Sequence, residues 1–455
     1  VAIGTNALGA STTGCSNIAL GTSAMDALTS GICNVAIGTN ALGASTTGCS
    51  NIAIGNLALG AAVTTGAFNV ALGTATMDAL TSGACNVAIG INALGASTTG
   101  CNNIGIGNAA MGASDTTGYN NLAMGQVAMD ALTTGQNNIA MGTNALGAST
   151  TGCHNIALGY IAMGAADTTG ISNIAIGVNA MDALTTGICN VAIGANALGA
   201  ATTGCKNIAL GDTALGGAAV TGNNNVALGA CGMDALTTGT ENVAIGTATL
   251  GASTTGCNNV AIGYIALGGA ITTGINNIAL GNSAMDALTS GADNVAIGRD
   301  AAGATTIGCH NVAIGCGALK SSTTSSDNRG QIAIGEMAMG TGVATGSMNI
   351  AIGCSAGKNI TSGYRNVFIG RATGDAVLTG FHNIAMGENA FGVATTGCLN
   401  VAIGQLALGS GVTTGNFNIA MGSNTMDALT SGTNNVAIGQ HALGKLTVAT
   451  DNIAI

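Results

Sequence analysis

The sequence predicts an all-β protein, a β-solenoid with coils of 17–18 residues. Three observations support this fold class. A phrase of the type NVAIGTNALGASTTGCSN recurs from end to end of the 455 residues. Its period is too short for helical repeats, which need roughly 33 residues or more. The chain also holds 76 Gly and no Pro or Trp, with only 2% aromatic residues. Such a composition indicates a tightly and regularly packed backbone rather than a conventional bulky core.

The first repeated element is an opening Asn. It starts 25 of 26 coils, and Gln331 starts the other. Its spacings are 17, 17 and 18 residues, which repeat as a 52-residue super-repeat of three coils from Asn17 to Asn311. Side-chain amides stacked from coil to coil can hydrogen-bond in a row, which predicts an Asn ladder. The alternative is that Asn only favours the corner conformation. The first ladder residues are Asn17, Asn34, Asn51, Asn69, Asn86 and Asn103.

The second element is a short strand that ends in a glycine. With the Asn as position 1, positions 2 and 4 are large aliphatic residues, which point to one face of a strand. We expect them to fill the coil. Position 5 is Gly in every coil that reaches it, which predicts a bend with positive φ or a close backbone contact. A second short segment follows, so we expect a two-sheet roll. The first bend residues are Gly21, Gly38, Gly55, Gly73 and Gly90.

The third element is the residue between the two aliphatic positions. Position 3 is Ala in 25 of 27 copies, and Gly105 and Phe368 are the exceptions. In a lone solenoid this position should face water, where such a uniform small apolar residue is unexpected. We therefore predict a close interface, between chains or between sheets, along these residues. The alternative is a thin coil whose two sides interdigitate through Ala. The first of these residues are Ala19, Ala36, Ala53, Ala71 and Ala88.

One region departs from the register. Six of the eight basic residues lie between Arg299 and Arg371, and the step from Asn311 to Gln331 is longer than every step before it. A projecting polar loop is a common place for binding, although a tolerated insertion would look the same. The candidate binding residues are Lys320, Asp327 and Arg329. The predicted domains are regular repeats at 1–310, irregular coils with a loop at 320–330 within 311–382, and regular repeats at 383–455.

The phrase NVAIG…NALG…TTG…N resembles the head repeats of trimeric autotransporter adhesins (YadA-like heads). It is also similar to the TAIGYNAL…TTG repeats of phage, bacterial and viral fibre proteins. The resemblance covers residues 1–455 and implies a left-handed β-roll, a homotrimer and a surface or tail fibre. Two departures stand out, because adhesin heads have coils near 14 residues and the fourteen Cys are unusual for such fibres.

The reactive side chains predict no catalytic site and no cofactor. Cys49 and its equivalents recur every 52 residues without a CxxC pattern, so we expect free, buried thiols, with inter-chain disulfides as the alternative. The Asp of each MDAL segment, such as Asp26, lacks the second carboxylate that a calcium site needs. It predicts a solvated acidic row or a turn cap. None of the four His is paired with a nucleophile, and we expect neither an enzyme nor a metal site.

The net charge is −10 with only 8 Lys and Arg, which argues against nucleic acid as a partner. Apolar runs are too short for a membrane span. The sequence therefore predicts a structural or adhesive fibre protein of a rigid extracellular, cell-surface or virion appendage. Its expected partners are its own copies, as a homotrimer or an end-to-end filament, and a surface or glycan receptor. The alternative is an ice-binding β-solenoid, since Thr-rich, weakly charged repeats also suit that function.

Overall fold

The structure is a computed structural model that describes residues 1–321, 329–448 and 450–455. The chain divides into two compact units, Val1–Asn224 and Asn225–Ile455. Across the described residues, regular secondary structure consists of short strands without any helix. Each unit is a parallel β-solenoid whose coils have the length read from the sequence, so the predicted fold class is confirmed. The boundaries expected near 310 and 382 both fall inside the second unit.

In the first unit, each coil contributes one short strand that pairs in parallel with the strand of the next coil. Equivalent positions are aligned, so that Ala36 lies opposite Ala53. Its strands are β1 (Ala2–Ile3), β2 (Ile18–Leu20), β3 (Val35–Ile37), β4 (Ile52–Ile54), β5 (Val70–Leu72), β6 (Val87–Ile89), β7 (Ile104–Ile106), β8 (Leu122–Met124), β9 (Ile139–Met141), β10 (Ile156–Leu158), β11 (Ile174–Ile176), β12 (Val191–Ile193) and β13 (Ile208–Leu210).

The second unit repeats this arrangement, again in parallel and in register. The polar loop expected at 320–330 falls between its sixth and seventh strands. Its strands are β14 (Val226–Leu228), β15 (Val243–Ile245), β16 (Val260–Ile262), β17 (Ile278–Leu280), β18 (Val295–Ile297), β19 (Val312–Ile314), β20 (Ile332–Ile334), β21 (Ile350–Ile352), β22 (Val367–Ile369), β23 (Ile384–Met386), β24 (Val401–Ile403), β25 (Ile419–Met421), β26 (Val436–Ile438) and β27 (Ile453–Ala454).

The strands face the opposite way from the expectation. The position-3 Ala points into the coil and is fully buried, whereas positions 2 and 4 lie on the outer surface. The prediction that these Ala residues form an inter-chain interface was therefore wrong, and the alternative of a thin coil with interdigitating Ala describes the interior. The residues concerned are Ala19, Ala36, Ala53, Ala71 and Ala88, each with 0% exposure.

The interior explains why position 3 must be small. Position 9 of each coil is mostly Leu or Met and is buried opposite the strand. At Gly105, one of the two exceptions, an added Cβ would lie 3.4 Å from Cγ of Leu94, the position-9 residue of the preceding coil. One methyl group therefore fills the remaining space, because interiors pack at crystal-like density. The bulk of the core comes from position 9, not from the strand.

The second segment of the coil is not a strand, so the expectation of a two-sheet roll was wrong. Its backbone turns repeatedly into the left-handed region, with φ of 54° at Asn40 and 50° at Leu42. It is nevertheless joined to both neighbouring coils. The Asn40 N–H donates to the Thr22 carbonyl of the coil before, and the Leu42 N–H donates to the Ala58 carbonyl of the coil after, each at 2.9 Å. Hydrogen bonds thus hold this side together without a β ladder.

Candidate functional site

The Asn residues at position 1 form a hydrogen-bonded column in each unit. The Asn34 backbone N–H donates to Asn17 Oδ1 at 2.9 Å. The Asn34 side-chain amide donates to the same oxygen at 3.2 Å and to the Gly48 carbonyl at 2.7 Å. The column is buried, so water does not compete for these bonds. The same backbone-to-side-chain bond links all six of Asn17, Asn34, Asn51, Asn69, Asn86 and Asn103.

The position-5 glycines make the bend that ends each strand. Their backbone has the positive φ that L-residues rarely adopt, and it also lies against the next coil. A Cβ on Gly21 would lie 2.5 Å from the Gly38 carbonyl oxygen. The positive φ and the close backbone contact, which the sequence offered as alternative reasons for glycine, therefore both apply. The φ values are 136° at Gly21, 133° at Gly38, 140° at Gly55, 139° at Gly73 and 133° at Gly90.

The most prominent surface feature is an exposed aliphatic strip. We define the strip as the residues at positions 2 and 4 of the strands, two from each of β2–β13 in the first unit and β14–β26 in the second. All of them are Val, Ile, Leu or Met, and none is buried. Ile18, Ile52 and Ile54 are 41%, 38% and 39% exposed. Because the strands pair in register, these side chains form two unbroken columns within each unit.

Polar and charged residues border part of the strip in the second unit. Position 6 follows the bend glycine, and there Arg299 Nη2 lies 3.2 Å from Cys316 Sγ. In the same column Arg371 pairs with Glu388, a contact that raises the pKa of the arginine. In the first unit the equivalent positions are mostly uncharged, for example Thr39 and Asn56. The two units therefore share the strip and differ in the residues beside it.

The candidate binding loop is only partly described. Asp327 lies outside the described residues. Lys320 Nζ lies 3.2 Å from Asp300 Oδ2, which ties this lysine to the coil before. Arg329 forms a parallel bridge with Cys309, which places it in the regular stack of coils. A binding role for Lys320, Asp327 and Arg329 stays a prediction.

Several Asp residues of the MDAL segments accept hydrogen bonds from backbone N–H groups. Asp130 Oδ1 accepts the Ala113 N–H of the preceding coil at 2.8 Å. This bond joins two coils, and the turn cap and the solvated acidic row expected from the sequence stay predictions. Partial burial raises the pKa of Asp182, while backbone N–H groups act in the opposite direction. The same desolvation by burial raises the pKa of Asp78, Asp234, Asp286 and Asp375.

The cysteines are free thiols, but the expectation that they are buried was wrong. All fourteen are exposed or half-buried. Cys49 and its equivalents sit two residues before the ladder Asn, where the chain is still outside the core. The Cys49 thiol donates to the Thr47 carbonyl at 3.4 Å. Within the described residues, no group of three or more His, Cys, Asp or Glu could hold a metal ion.

A surface depression of about 620 Å³ lies in the second unit. It contains His441, which unlike the other three His does not immediately precede an opening Asn. Asp427 and Lys445 also line it, together with Leu443, Gly444 and Leu446. Among the described residues, the lining therefore brings together a carboxylate, an imidazole and an ammonium group, without a Ser, Thr or Cys that could act as a nucleophile.

Sequence reasoning missed a cluster of aromatic and cationic residues in the second unit. The Tyr364 and Phe381 rings stack with centroids 5.0 Å apart and planes 6° from parallel. His382 meets both rings edge-on, at 5.6 Å and 5.5 Å. The Arg365 guanidinium lies 6.0 Å from the Tyr364 ring centroid. The available signal was the position of these residues, two and one before the ladder Asn of adjacent coils, in a chain with only 2% aromatic residues.

Comparison with protein-family models and with curated proteins finds no match for this chain. The resemblance to YadA-like heads and TAIGYNAL-type fibre repeats therefore stays a prediction. Among the described residues, no helix has the length and hydropathy needed to cross a membrane.

Proposed function

We propose that this protein is a structural, fibre-forming subunit whose copies associate side by side through the aliphatic strip. The observation that carries the proposal is the outward direction of the large aliphatic residues. In the first unit alone, twelve strands from β2 to β13 each present two such side chains. A soluble monomer rarely exposes a contiguous apolar patch of more than a few hundred Å², and a larger patch marks an interaction site.

A second copy of the same chain is the occupant that best matches the strip. Within each unit the strip repeats at the coil spacing of about 4.8 Å. Only a surface with the same repeat covers every level of it equally, and an identical chain has that repeat. Burying the columns stabilises the assembly by about 25 cal/mol per Å² of apolar surface removed from water. Resemblance to trimeric adhesin heads favours three copies around a common axis.

The backbone supports a mechanical role. In each unit the strands, the second segments and the Asn column all bond from one coil to the next. A fibre of an extracellular, cell-surface or virion appendage needs this kind of axial continuity. Ice binding has less support, because Thr hydroxyls such as that of Thr29 donate to the carbonyl of the next coil, here Thr46 at 3.1 Å. Those hydroxyl protons are not free to organise water.

Sedimentation of the full chain tests the proposal. We expect an oligomer with the mass of three chains at micromolar concentration. Replacing Ile52, Ile54, Ile89 and Ile104 together by Thr keeps the β-branched shape and removes apolar surface from the strip, so it should dissociate the oligomer.

The matched control replaces Ile91 and Val178 by Thr. Both are exposed, by 58% and 48%, but they lie at position 6, outside the strip. The control should sediment like the parent chain. A parent chain that remains monomeric at tens of micromolar would contradict the proposal, and so would an oligomer that survives the four strip changes.

A further inference from the structure

We propose that the cluster of Tyr364, Arg365, Phe381 and His382 binds a sugar that bears a carboxylate group. This site lies outside the candidate loop and outside the strip. The proposal adds a ligand to the fibre and does not depend on how the copies associate.

The charge of the cluster points to an anionic ligand. Arg365 and His382 are exposed neighbours in one column, on adjacent coils. Within the described residues, the ion pairs are Lys320–Asp300, Arg371–Glu388 and His310–Asp293, and neither Arg365 nor His382 takes part in one. His310 occupies the same position as His382 but has an aspartate on the coil before it. The guanidinium at Arg365 is therefore available for a carboxylate, which it can bind through two parallel hydrogen bonds.

The aromatic pair points to a sugar rather than to a simple anion. Tyr364 is 37% exposed, and its ring is held in a stack rather than free to rotate into the surface. Aromatic side chains supply apolar contact area at a low cost in conformational entropy. An apolar C–H face of a sugar ring can pack against such a surface while its carboxylate reaches Arg365. A carboxylate without a sugar ring would contact Arg365 but would leave the aromatic pair unoccupied.

The backbone holds these residues in place before any ligand arrives. The Arg365 N–H donates to the Ser347 carbonyl at 3.0 Å, and the His382 N–H donates to the Tyr364 carbonyl at 3.1 Å. Both residues take a left-handed φ, 54° and 57°. Preorganised side chains lose little freedom on binding, which matters on an open surface where few contacts are available.

Two other partners fit the cluster less well. In copies aligned side by side, Arg365 of one chain would meet the same residue of another, and like charges repel. Nucleic acid is disfavoured because the whole chain carries a net charge of −10, which repels a long polyanion. A short acidic sugar meets only the local positive charge.

Ligand-observed NMR tests the proposal. The full chain is titrated with 3′-sialyllactose and, separately, with neutral lactose. We expect sialyllactose to bind at least about tenfold more tightly than lactose, since a tenfold ratio corresponds to about 1.4 kcal/mol. Arg365→Asn should remove most of this preference, because it removes the partner of the carboxylate. Tyr364→Ala should weaken the binding of sialyllactose by removing the surface against which the sugar ring packs. Asn suits the left-handed backbone at Arg365 and occurs there in other coils, as at Asn137.

Two matched controls come from the first unit. Lys206 holds the same position as Arg365, and Tyr119 the same position as Tyr364. Lys206→Asn and Tyr119→Ala should leave sialyllactose binding unchanged. Equal binding of the two sugars to the parent chain would overturn the proposal. So would binding that survives Arg365→Asn, or an acidic peptide or acetate that binds as tightly as the acidic sugar. The measurement reports binding per chain, so a monomeric chain would contradict the proposed assembly and leave this test intact.

Discussion

The regular coils of the first unit and the coil of Phe368 in the second unit fill the same interior in opposite ways. In the regular coils a small residue at position 3 lies against a long residue at position 9, as at Gly105 and Leu94. At Phe368 the large residue is on the strand, and position 9 is glycine both in its own coil and in the coil before. A Cβ on Gly374 would lie 2.7 Å from the Phe368 ring, and one on Gly357 would lie 3.0 Å from it.

The difference shows that the volume of the coil is conserved, not the residue at any one position. Phe368 is fully buried, as are the Ala residues it replaces. Two shortened side chains compensate for one enlarged side chain, so that the strand keeps its parallel register with both neighbours. The pattern also explains why Ala at position 3 and Leu or Met at position 9 occur together in most other coils.

The largest expected effect comes from Phe368→Ala. The change leaves a cavity bounded by two glycines that cannot fill it, so we expect a loss of about 3–5 kcal/mol in the local free energy of unfolding. Hydrogen exchange of the Val367 and Ile384 amides measures this loss.

Restoring the regular pattern should rescue this variant. Position 9 accepts Leu at a left-handed φ, 51° at Leu94, close to the 54° of Gly357 and the 60° of Gly374. The triple change Phe368→Ala, Gly357→Leu and Gly374→Leu should therefore recover most of the lost stability. If the triple variant is no more stable than Phe368→Ala, the two glycines do not compensate for the volume of the Phe368 ring.

The converse change should be the next largest. Gly105→Phe places a ring where Leu94 already fills the space, and overpacking of this kind costs about 2–3 kcal/mol. Gly105→Ala is the matched control, because Ala is the usual residue at position 3. It should change stability by less than about 1 kcal/mol. Urea denaturation compares the two variants, and a Phe variant as stable as the Ala variant would mean that the regular coil can expand.

The Asn column should contribute equally in both kinds of coil. Asn138→Ala removes the acceptor of the Asn155 N–H and the donor to the Gly152 carbonyl, and both partners are left buried. We expect a loss of about 2 kcal/mol, because unsatisfied buried groups keep their desolvation penalty. Asn137→Gly is the control, since its side chain bonds only at the surface. Hydrogen exchange of the Ile139 and Ile156 amides measures the local free energy of opening. This free energy should fall in Asn138→Ala and should stay within about 0.5 kcal/mol of the parent value in Asn137→Gly.

The smallest effect is the response to pH. Burial raises the pKa of Asp78, Asp182 and Asp234 above the ordinary value of 3.8. The folded chain then binds protons more readily than the unfolded chain, so stability rises as pH falls from neutral through the raised pKa towards 3.8. We expect the melting temperature to increase slightly over this range. Asp182→Asn should be more stable at neutral pH and should respond less to pH, and a melting temperature that falls steadily on acidification would contradict the sign.

Much of the fold and part of the site could be predicted from residue types and spacing. The period, the strand before each bend, the glycine with positive φ and the Asn column all follow from local rules about backbone conformation and amide hydrogen bonding. The aromatic–cationic cluster could not be predicted in the same way. Tyr364 and Phe381 are separated by one whole coil of the chain, and only the stacking of coils brings their rings to 5.0 Å.

The sequence by itself determined the repeat, and with it a parallel solenoid of coils that bond through backbone and amide groups at every level. The tertiary structure alone decided which face of the strand lies inside. Alternation separates Ala36 from Val35 and Ile37 but does not say which side is the core, and hydropathy favours the larger residues. The coil is too thin for them once Leu or Met at position 9 has taken the space. The interior therefore accepts a methyl group, and the large aliphatic residues are left on the surface.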